Sequence, residues 1–560
     1  MALIDKASLL FVPSVVAQEK AFNILPSGNR APDSTDQNSG YDQTRADFDF
    51  DRGSNAAATR IGSDGLIKKY RENLLTQSNN FSDSDWNVKA GTFTQGVEDP
   101  DGGNNAWSWT AQNTDPYLYQ SGKSVSGVST LSIWVKGVGS TIGASFQIRT
   151  GAAPYKNLTL TGDWQRVEHF NTNTSATSVG FEYGNPAVVG DVVHIYQAQY
   201  EAGTIATDVL TSGATTAKAG VLIDLPRIDY SSGAGALILE PSRANLIQYS
   251  EYFGTWASVV QGTASAPTIT TNYDISPDGK QNATRIQFDL NGGTTLSDRV
   301  IIRQSLAIQS DYYFSVWMKS ATGSEQKILW HSTADDNETT ITSDWQRFEF
   351  DRNSTSVGWA GLSLRGSTSS VDTADILVWG FQVERGSYKT SYIPNHSGTG
   401  GVTRAADLCN NGGSAESINS VEGVLYAEIA ALADDEINRH ITLWDGTDTN
   451  RLVLKYDNQS NVVQVFNRVG GIETAFLGHS LADITISHKI AVRYKANDYA
   501  LVIDGVEVDT DTSSSTWSVS VFNDIKFSNG SGSDFYGNVK QLAVFNEALS
   551  DSELATLTTL

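Results

Sequence analysis

Apolar and polar positions alternate along most of this chain in short runs. Residues 130–135 and 190–199 alternate or run apolar, with β-branched and aromatic side chains, and Gly, Asn, Asp and Ser cluster between such runs. No long stretch keeps a 3.6-residue period. Short strands separated by turn clusters predict an all-β sandwich over 71–210, and residues 243–397 repeat the pattern. Past Gly398-Thr-Gly-Gly401, apolar runs at 424–429, 452–456, 462–466 and 490–494 predict further strands. Residues 500–508 read as two strands around an Asp504-Gly505 hairpin turn. Ser550, with Glu553 three residues on, predicts a capped short final helix.

The two sandwich regions match residue by residue. Arg71-Glu-Asn73-Leu74, leading through Ser78 and Phe81 to Trp86, returns as Arg243-Ala-Asn245-Leu246, leading through Ser250 and Phe253 to Trp256. Asp101-Gly102 returns as Asp278-Gly279, Trp134 as Trp317, Asp163-Trp164-Gln-Arg166 as Asp344-Trp345-Gln-Arg347, and Gln199-Tyr-Glu201 as Gln382-Val-Glu384. The spacing is that of tandem domains and exceeds any solenoid or propeller repeat. The chain therefore divides into an N-terminal arm (1–70), module 1 (71–210), a connector (211–242), module 2 (243–397), a linker (398–414) and a C-terminal domain (415–560). The arm is rich in Pro, Ser, Asn, Asp and Gly over 20–43 and reads as extended, with one edge strand at Phe48-Asp-Phe50-Asp-Arg52. Its start superficially resembles a secretory signal, but Pro13 interrupts the apolar run and Asp5 weakens the positive flank, so it reads as a short strand or docking arm. The connector carries apolar strands bounded by Pro226 and Pro241, which predicts a packed segment.

Composition narrows the function classes. The 560 residues hold 39 Lys+Arg against 63 Asp+Glu, a formal charge of −24, which argues against nucleic acid as a partner. Cys409 is the only cysteine, which excludes an intramolecular disulfide and a thiolate zinc cluster. No run reaches the roughly 18 to 20 apolar residues of a membrane-spanning helix, so membrane insertion is not expected.

Asn73-Leu-Leu-Thr-Gln-Ser78…Phe81…Trp86, and the junction Arg227-Ile-Asp-Tyr-Ser…Gly235-Ala-Leu-Ile-Leu-Glu-Pro-Ser-Arg243-Ala-Asn-Leu246, resemble sequences of tailed-phage tail, fibre and head-appendage proteins. The modules resemble jelly-roll carbohydrate-binding domains. Residues 489–505 and 535–550 are similar to concanavalin A-like or laminin-G-like lectin domains. The resemblance covers roughly residues 48–560 and implies tandem jelly-roll β-sandwiches with an extended N-terminal arm. It further implies a virion surface protein, attached to other virion proteins through the arm, that presents the C-terminal domain outermost to host-surface glycan. Linked weak sites gain avidity, and a homotrimer would serve that purpose. A pure spacer and a polysaccharide depolymerase are the alternative readings.

Chemistry-bearing motifs are sparse. The seven histidines form no H-E-x-x-H pair, and no G-x-S-x-G elbow occurs. Glu349-Phe-Asp351 begins the acid triplet of concanavalin-like glucanases, but Ser354 stands where the third acid belongs. The expectation is that the chain is not an enzyme. Trp134, Trp317, Trp164 and Trp345, repeated inside strand patterns, read as core anchors. Tyr117, Tyr119, Trp330 and Trp444 lie outside the repeat and are the candidate glycan-stacking residues. Asp99, Asp101 and Asp278 sit in matching oxygen-rich turns. These read either as plain Asp-Gly β-turns or as the structural calcium site that related jelly rolls hold.

Overall fold

The computed structural model describes residues 3–13, 48–53, 57–123, 125–151, 155–172, 178–184, 186–223, 225–308, 312–332, 335–352, 357–530 and 532–559. The fold is all-β. Strands cover the chain from Leu9 to Phe545, and the single α-helix among the described residues is Asp551–Thr558.

Each module is a sandwich of two five-stranded antiparallel sheets, with the same strand order in both copies. In module 1 one sheet runs Gln165–Asn171, Ser129–Val138, Val192–Ala202, Ala106–Ala111, Gly91–Val97. The other runs Lys156–Thr159, Ser145–Thr150, Ser178–Tyr183, Tyr117–Ser121, Asn87–Lys89. Alternation aims Leu131, Ile133, Val135, Phe146, Ile148, Val179 and Phe181 into a core that excludes water. In module 2, Phe314, Val316, Met318, Ile328, Trp330, Leu362 and Ile376 fill the corresponding space.

The repeated polar residues lock each sandwich shut. Asn73 is buried; its Nδ2 donates to the carbonyls of Ala198 (3.0 Å) and Leu210 (2.8 Å), and its Oδ1 accepts from the N–H groups of Leu75 and Tyr200 (both 3.1 Å). Asn245 repeats all four bonds with Phe381, Ile393, Ile247 and Val383. Glu201 accepts from Thr207, and Glu384 accepts from Thr390, through both backbone N–H and hydroxyl. The shared motif thus satisfies backbone groups that would otherwise be buried unpaired.

The repeated tryptophans correct the expectation. Trp134, Trp164, Trp317 and Trp345 are all half-buried and stand outside the sandwich cores. Leu131, Ile133 and Val135 point inward, so strand alternation turns Trp134 outward. Trp317 and Trp345 pack instead with Trp379, Tyr392, Ile61 and Ile67, under the hairpin of strands Thr59–Ile61 and Ile67–Lys69.

The C-terminal domain packs an eight-stranded sheet on a five-stranded one. Its large sheet is assembled from distant parts of the chain. Connector strand Ala236–Leu239 and N-terminal strand Leu9–Phe11 lie end to end along one edge of Gly537–Phe545, pairing Leu237 with Val539 and Leu9 with Val544. Leu9, Phe11, Phe48 and Phe50 enter the domain's core, and Asp49–Asp51 pairs with Leu408–Asn410. The first strand of the chain and the C-terminal domain are therefore parts of one folded unit rather than separate ends of the molecule. Leu9–Phe11, Phe48 and Phe50 of the arm are built into that domain, because short apolar strands bury their faces most readily on an open sheet edge, while the 59–69 hairpin packs on module 2. The weakly structured stretch expected over 20–43 lies outside the described residues.

The junction motif closes the interface between these parts. Arg227 and Arg404 are fully buried and share Glu240 at 2.8 and 2.7 Å. Arg227 also pairs with Asp407, which Arg52 reaches at 3.3 Å. Burial alone would raise the Glu240 carboxyl, but Arg404 and Arg227 hold it down at about 2. At the far end Asp504 and Gly505 both have positive φ (50° and 86°), the geometry an Asp-Gly hairpin demands.

Candidate functional site

The outer face of the second module 1 sheet carries an aromatic and polar surface. Strand Tyr117–Ser121 buries Leu118 and turns Tyr117 and Tyr119 out, their rings stacked 5.0 Å apart at 14°. In register beside them stand Asn87 and Lys89 on one side and Gly180 and Glu182 on the other. The next strand sets Gln147 opposite Glu182 and Arg149 opposite Gly180, and Asn157 follows opposite Gln147. Gly180 is required there, since a Cβ would collide with the Leu118 carbonyl and lie 2.6 Å from the Tyr119 Cβ. Its absence leaves the Arg149 side chain room to cross the sheet. The guanidinium lies 4.9 Å from the Tyr117 ring centre and 4.7 Å from that of Tyr155, and it pairs with buried Glu182. Gln147 Nε2 donates to Asn157 Oδ1 at 2.8 Å. Ser145, Gln147, Asn157, Glu182, Tyr183 and Gly184 line an open hollow of about 250 Å³ beside this shelf.

Such a surface offers flat rings next to fixed amide, carboxylate and guanidinium groups. A ring bearing both C–H faces and hydroxyls fits those two kinds of contact. Module 2 keeps the scaffold and changes the chemistry. Gly361 stands opposite Arg303, as Gly180 stands opposite Tyr119. Arg303 covers the Trp359 ring at 3.5 Å and lies 3.3 Å from His331 Nε2. The inner locks are thus the same in both copies, while the outer faces differ.

The other candidate residues fare differently. Trp330 is 1% exposed, stacked on Phe350 inside the module 2 core, so it offers no stacking surface. Its strand alternates inward at Ile328 and Trp330, a parity that the residue types alone do not reveal. Trp444 stands on the outer face of the five-stranded C-terminal sheet. The Lys526 ammonium sits 2.7 Å from its ring centre and its Nε1 donates to Asp524 at 2.5 Å, so one face is taken. Burial pushes Asp524 up to about 6 and Lys526 down to about 8.

In the turns of the candidate calcium residues, the carboxylates already have hydrogen-bond or ion-pair partners. Asp99 already accepts from the backbone N–H of Asp101, Gly103 and Asn105 and from the Asn105 amide. Asp101 accepts from the Tyr196 hydroxyl, and Asp278 pairs with the Lys69 ammonium at 2.6 Å. Among the described residues no cluster of three or more His, Cys, Asp or Glu side chains could hold a metal.

Sequence reading missed Gln147, Arg149, Asn157 and Glu182. The alternation of Ser145–Thr150 shows that Gln147 and Arg149 share a face, but only strand register brings Glu182 and Asn157 to them.

No known protein family matches the chain, and no curated protein matches it. Several solved structures are similar. The tandem CBM22-1–CBM22-2 domain of Paenibacillus barcinonensis Xyn10C is 12% identical with a TM-score of 0.22, over 60% of this chain and 100% of that one. Domains LG4-5 of the mouse laminin alpha1 chain are 11% identical with a TM-score of 0.18, over 52% and 96%. A Trypanosoma rangeli sialidase in complex with a difluoro-nononic acid is 10% identical with a TM-score of 0.22, over 89% and 93%. The sialidase corrects one expectation: with an enzyme among the similar structures, the exclusion of enzymatic activity does not stand. At these scores the likenesses support neither an enzymatic nor a non-enzymatic assignment.

Proposed function

We propose that the outer face around Tyr117, Tyr119 and Arg149 binds glycan, and that the chain displays it as a surface protein of a tailed-phage particle contacting host polysaccharide. The observation that carries the binding reading is the stacked tyrosine pair beside the Gln147–Asn157–Glu182 hollow. The virion reading is supported by the resemblance of the Arg227–Leu246 junction, whose Arg227 and Glu240 lie in the buried hub that ties the connector to the linker residues Arg404 and Asp407 and to Ser391 of module 2. Each shelf binds weakly, in the millimolar range of about −4 kcal/mol, and assembly into a trimer supplies avidity.

Full-length protein immobilised at high density is titrated with host capsular polysaccharide, alongside Tyr117→Ala/Tyr119→Ala. Loss of both rings is expected to lower binding by at least about fivefold, since stacking contributes about 0.5–1.5 kcal/mol per ring. Unchanged binding by the double variant would remove the shelf from consideration. A particle reconstruction that finds the chain away from the virion surface would remove the phage assignment.

A further inference from the structure

The two copies of the scaffold differ in what covers them. On module 2, the hairpin of Thr59–Ile61 and Ile67–Lys69 lies over the outer face of the sheet that holds Thr373–Arg385, Tyr312–Ser320 and Gln346–Arg352. Ile61 and Ile67 pack with Trp317, Trp345, Trp379 and Tyr392. The Ile67 N–H donates to the Pro277 carbonyl at 3.0 Å. The Lys69 ammonium lies 5.2 Å from the Trp379 ring centre and reaches Glu251 at 3.1 Å and Asp278 at 2.6 Å.

Module 1 keeps the receiving half of that joint. Trp134 pairs in register with Tyr196, as Trp317 pairs with Trp379. Arg166 and Arg347 stand opposite these tryptophans on the next strand, and each donates through Nη2 to the matching serine, Ser132 or Ser315. Trp164 takes the place of Trp345, and Pro100-Asp101 the place of Pro277-Asp278. Asp101 is exposed, and among the described residues only the Tyr196 hydroxyl donates to its carboxylate. Nothing among the described residues donates to the Pro100 carbonyl. Trp134 and Trp164 are half-buried, and among the described residues no ring contact or apolar cluster joins them to anything outside module 1.

The joint on module 2 defines the chemistry of the missing half. Aliphatic side chains suit the tryptophan faces, a strand N–H suits the Pro100 carbonyl, and an ammonium suits Asp101. The described hairpins of this chain are already seated elsewhere. Arg60-Ile61…Leu66-Ile67 returns as Arg227-Ile228…Leu237-Ile238, and both segments form hairpins. The hairpin that precedes module 1 docks on module 2, and the one that precedes module 2 docks on the C-terminal sheet. Module 1 is the unit that these hairpins leave uncovered. A second copy has the same two hairpins, both seated in the same way.

We propose that the Trp134–Trp164 face of module 1 is a docking surface for a β-hairpin of another protein, one that lays two aliphatic side chains on the tryptophans and aims a lysine at Asp101. The inference stands on the duplication and does not depend on glycan binding.

The probe is a synthetic, fluorescently labelled peptide of residues 57–70, closed by a terminal disulfide because an isolated two-stranded hairpin is marginal in water. Anisotropy is read while the full chain is titrated to about 1 mM, and hydrogen–deuterium exchange locates the bound peptide. Binding is expected, with protection over 98–103 and 129–138. Trp134→Ala should weaken it at least about tenfold, and Asp101→Asn about two- to fivefold. The peptide carrying Ile61→Asp/Ile67→Asp should not bind, a comparison that does not depend on how the protein variants fold. No binding by the parent, or parent-like affinity in Trp134→Ala, overturns the proposal. Protection confined to 312–320 and 373–385 also overturns it, since the peptide would then be exchanging with the chain's own hairpin. Sedimentation of the chain alone separates a partner from a second copy. Self-association that Trp134→Ala abolishes would give the face to a second copy and overturn the proposal; no self-association, or self-association that this variant leaves unchanged, supports it.

Discussion

Replacing Asn245 with alanine removes one side chain and strands four backbone groups. The amide donates to the Phe381 and Ile393 carbonyls at 3.1 and 2.9 Å and accepts from Ile247 and Val383 at 3.1 Å each. Asn245 is fully buried, so bulk water cannot take over those bonds in place. An unsatisfied buried group costs about 1–3 kcal/mol. Four at full cost would reach about 4–12 kcal/mol, but a water entering the vacated volume can satisfy two or three of them. The expected net loss is about 3–5 kcal/mol, confined to module 2. Asn73 makes the same four bonds in module 1, so Asn73→Ala should cost a similar amount there. The two sites share no partner, so the double variant should lose the sum. A chain of several domains need not unfold in one step, so the assay is hydrogen–deuterium exchange by mass spectrometry, read separately over 71–210 and 243–397. Accelerated exchange in the substituted module only, of matching size in the two single variants, is the expected result. A loss under about 1 kcal/mol, or effects differing by more than about 2 kcal/mol between the copies, would refute the reasoning that this residue is the shared lock.

Two further outcomes follow from buried charge. Burial first, then the neighbouring Lys455 and Arg451, lower His440 from 6.5 to about 4, and neither ring nitrogen has a partner among the described residues. The folded state keeps the ring neutral while the unfolded chain binds the proton, so stability falls as pH drops from about 6.5 through about 4, by about 3 kcal/mol in total. Asp524, raised to about 6, acts in the opposite sense, gaining stability as pH falls. The check is therefore the difference between parent and His440→Leu in urea melts at pH 7.5 and 4.5, and a pH-independent difference would count against it. Glu240→Gln leaves Arg227 and Arg404 facing each other with half their compensation. It should lower stability by about 3–5 kcal/mol in thermal or urea unfolding at neutral pH, and a loss below about 1 kcal/mol would show that the hub is dispensable.

Much of the architecture was legible in the residues. Period-two alternation announced strands because a strand sends successive side chains to opposite faces. The duplicated Asn73/Asn245 and Glu201/Glu384 marked two copies of one sandwich because each residue satisfies fixed backbone groups. Asp504-Gly505 announced its hairpin through the positive φ that the turn requires. Parity was harder to read. Trp330 and Trp134 both lie in strands of alternating character, yet the first points into the core and the second away from it. An aromatic ring suits either face, so its type cannot decide.

The amino-acid sequence by itself determined that this chain is all-β, that it is a duplicated scaffold followed by a third β domain, and that its inner locks are repeated. These properties depend on side chains and backbone groups close together along the strand or bound to their own module. Tertiary structure alone decided the rest. It placed Leu9–Phe11 and Ala236–Leu239 on one edge of Gly537–Phe545, gathered Arg52, Arg227, Arg404, Glu240 and Asp407 into one hub, and set Arg149 and Glu182 beside Tyr117. The physical reason is that sheet edges and buried charges are satisfied by whichever partner the three-dimensional register brings near. That register joins residues hundreds of positions apart without leaving a local pattern.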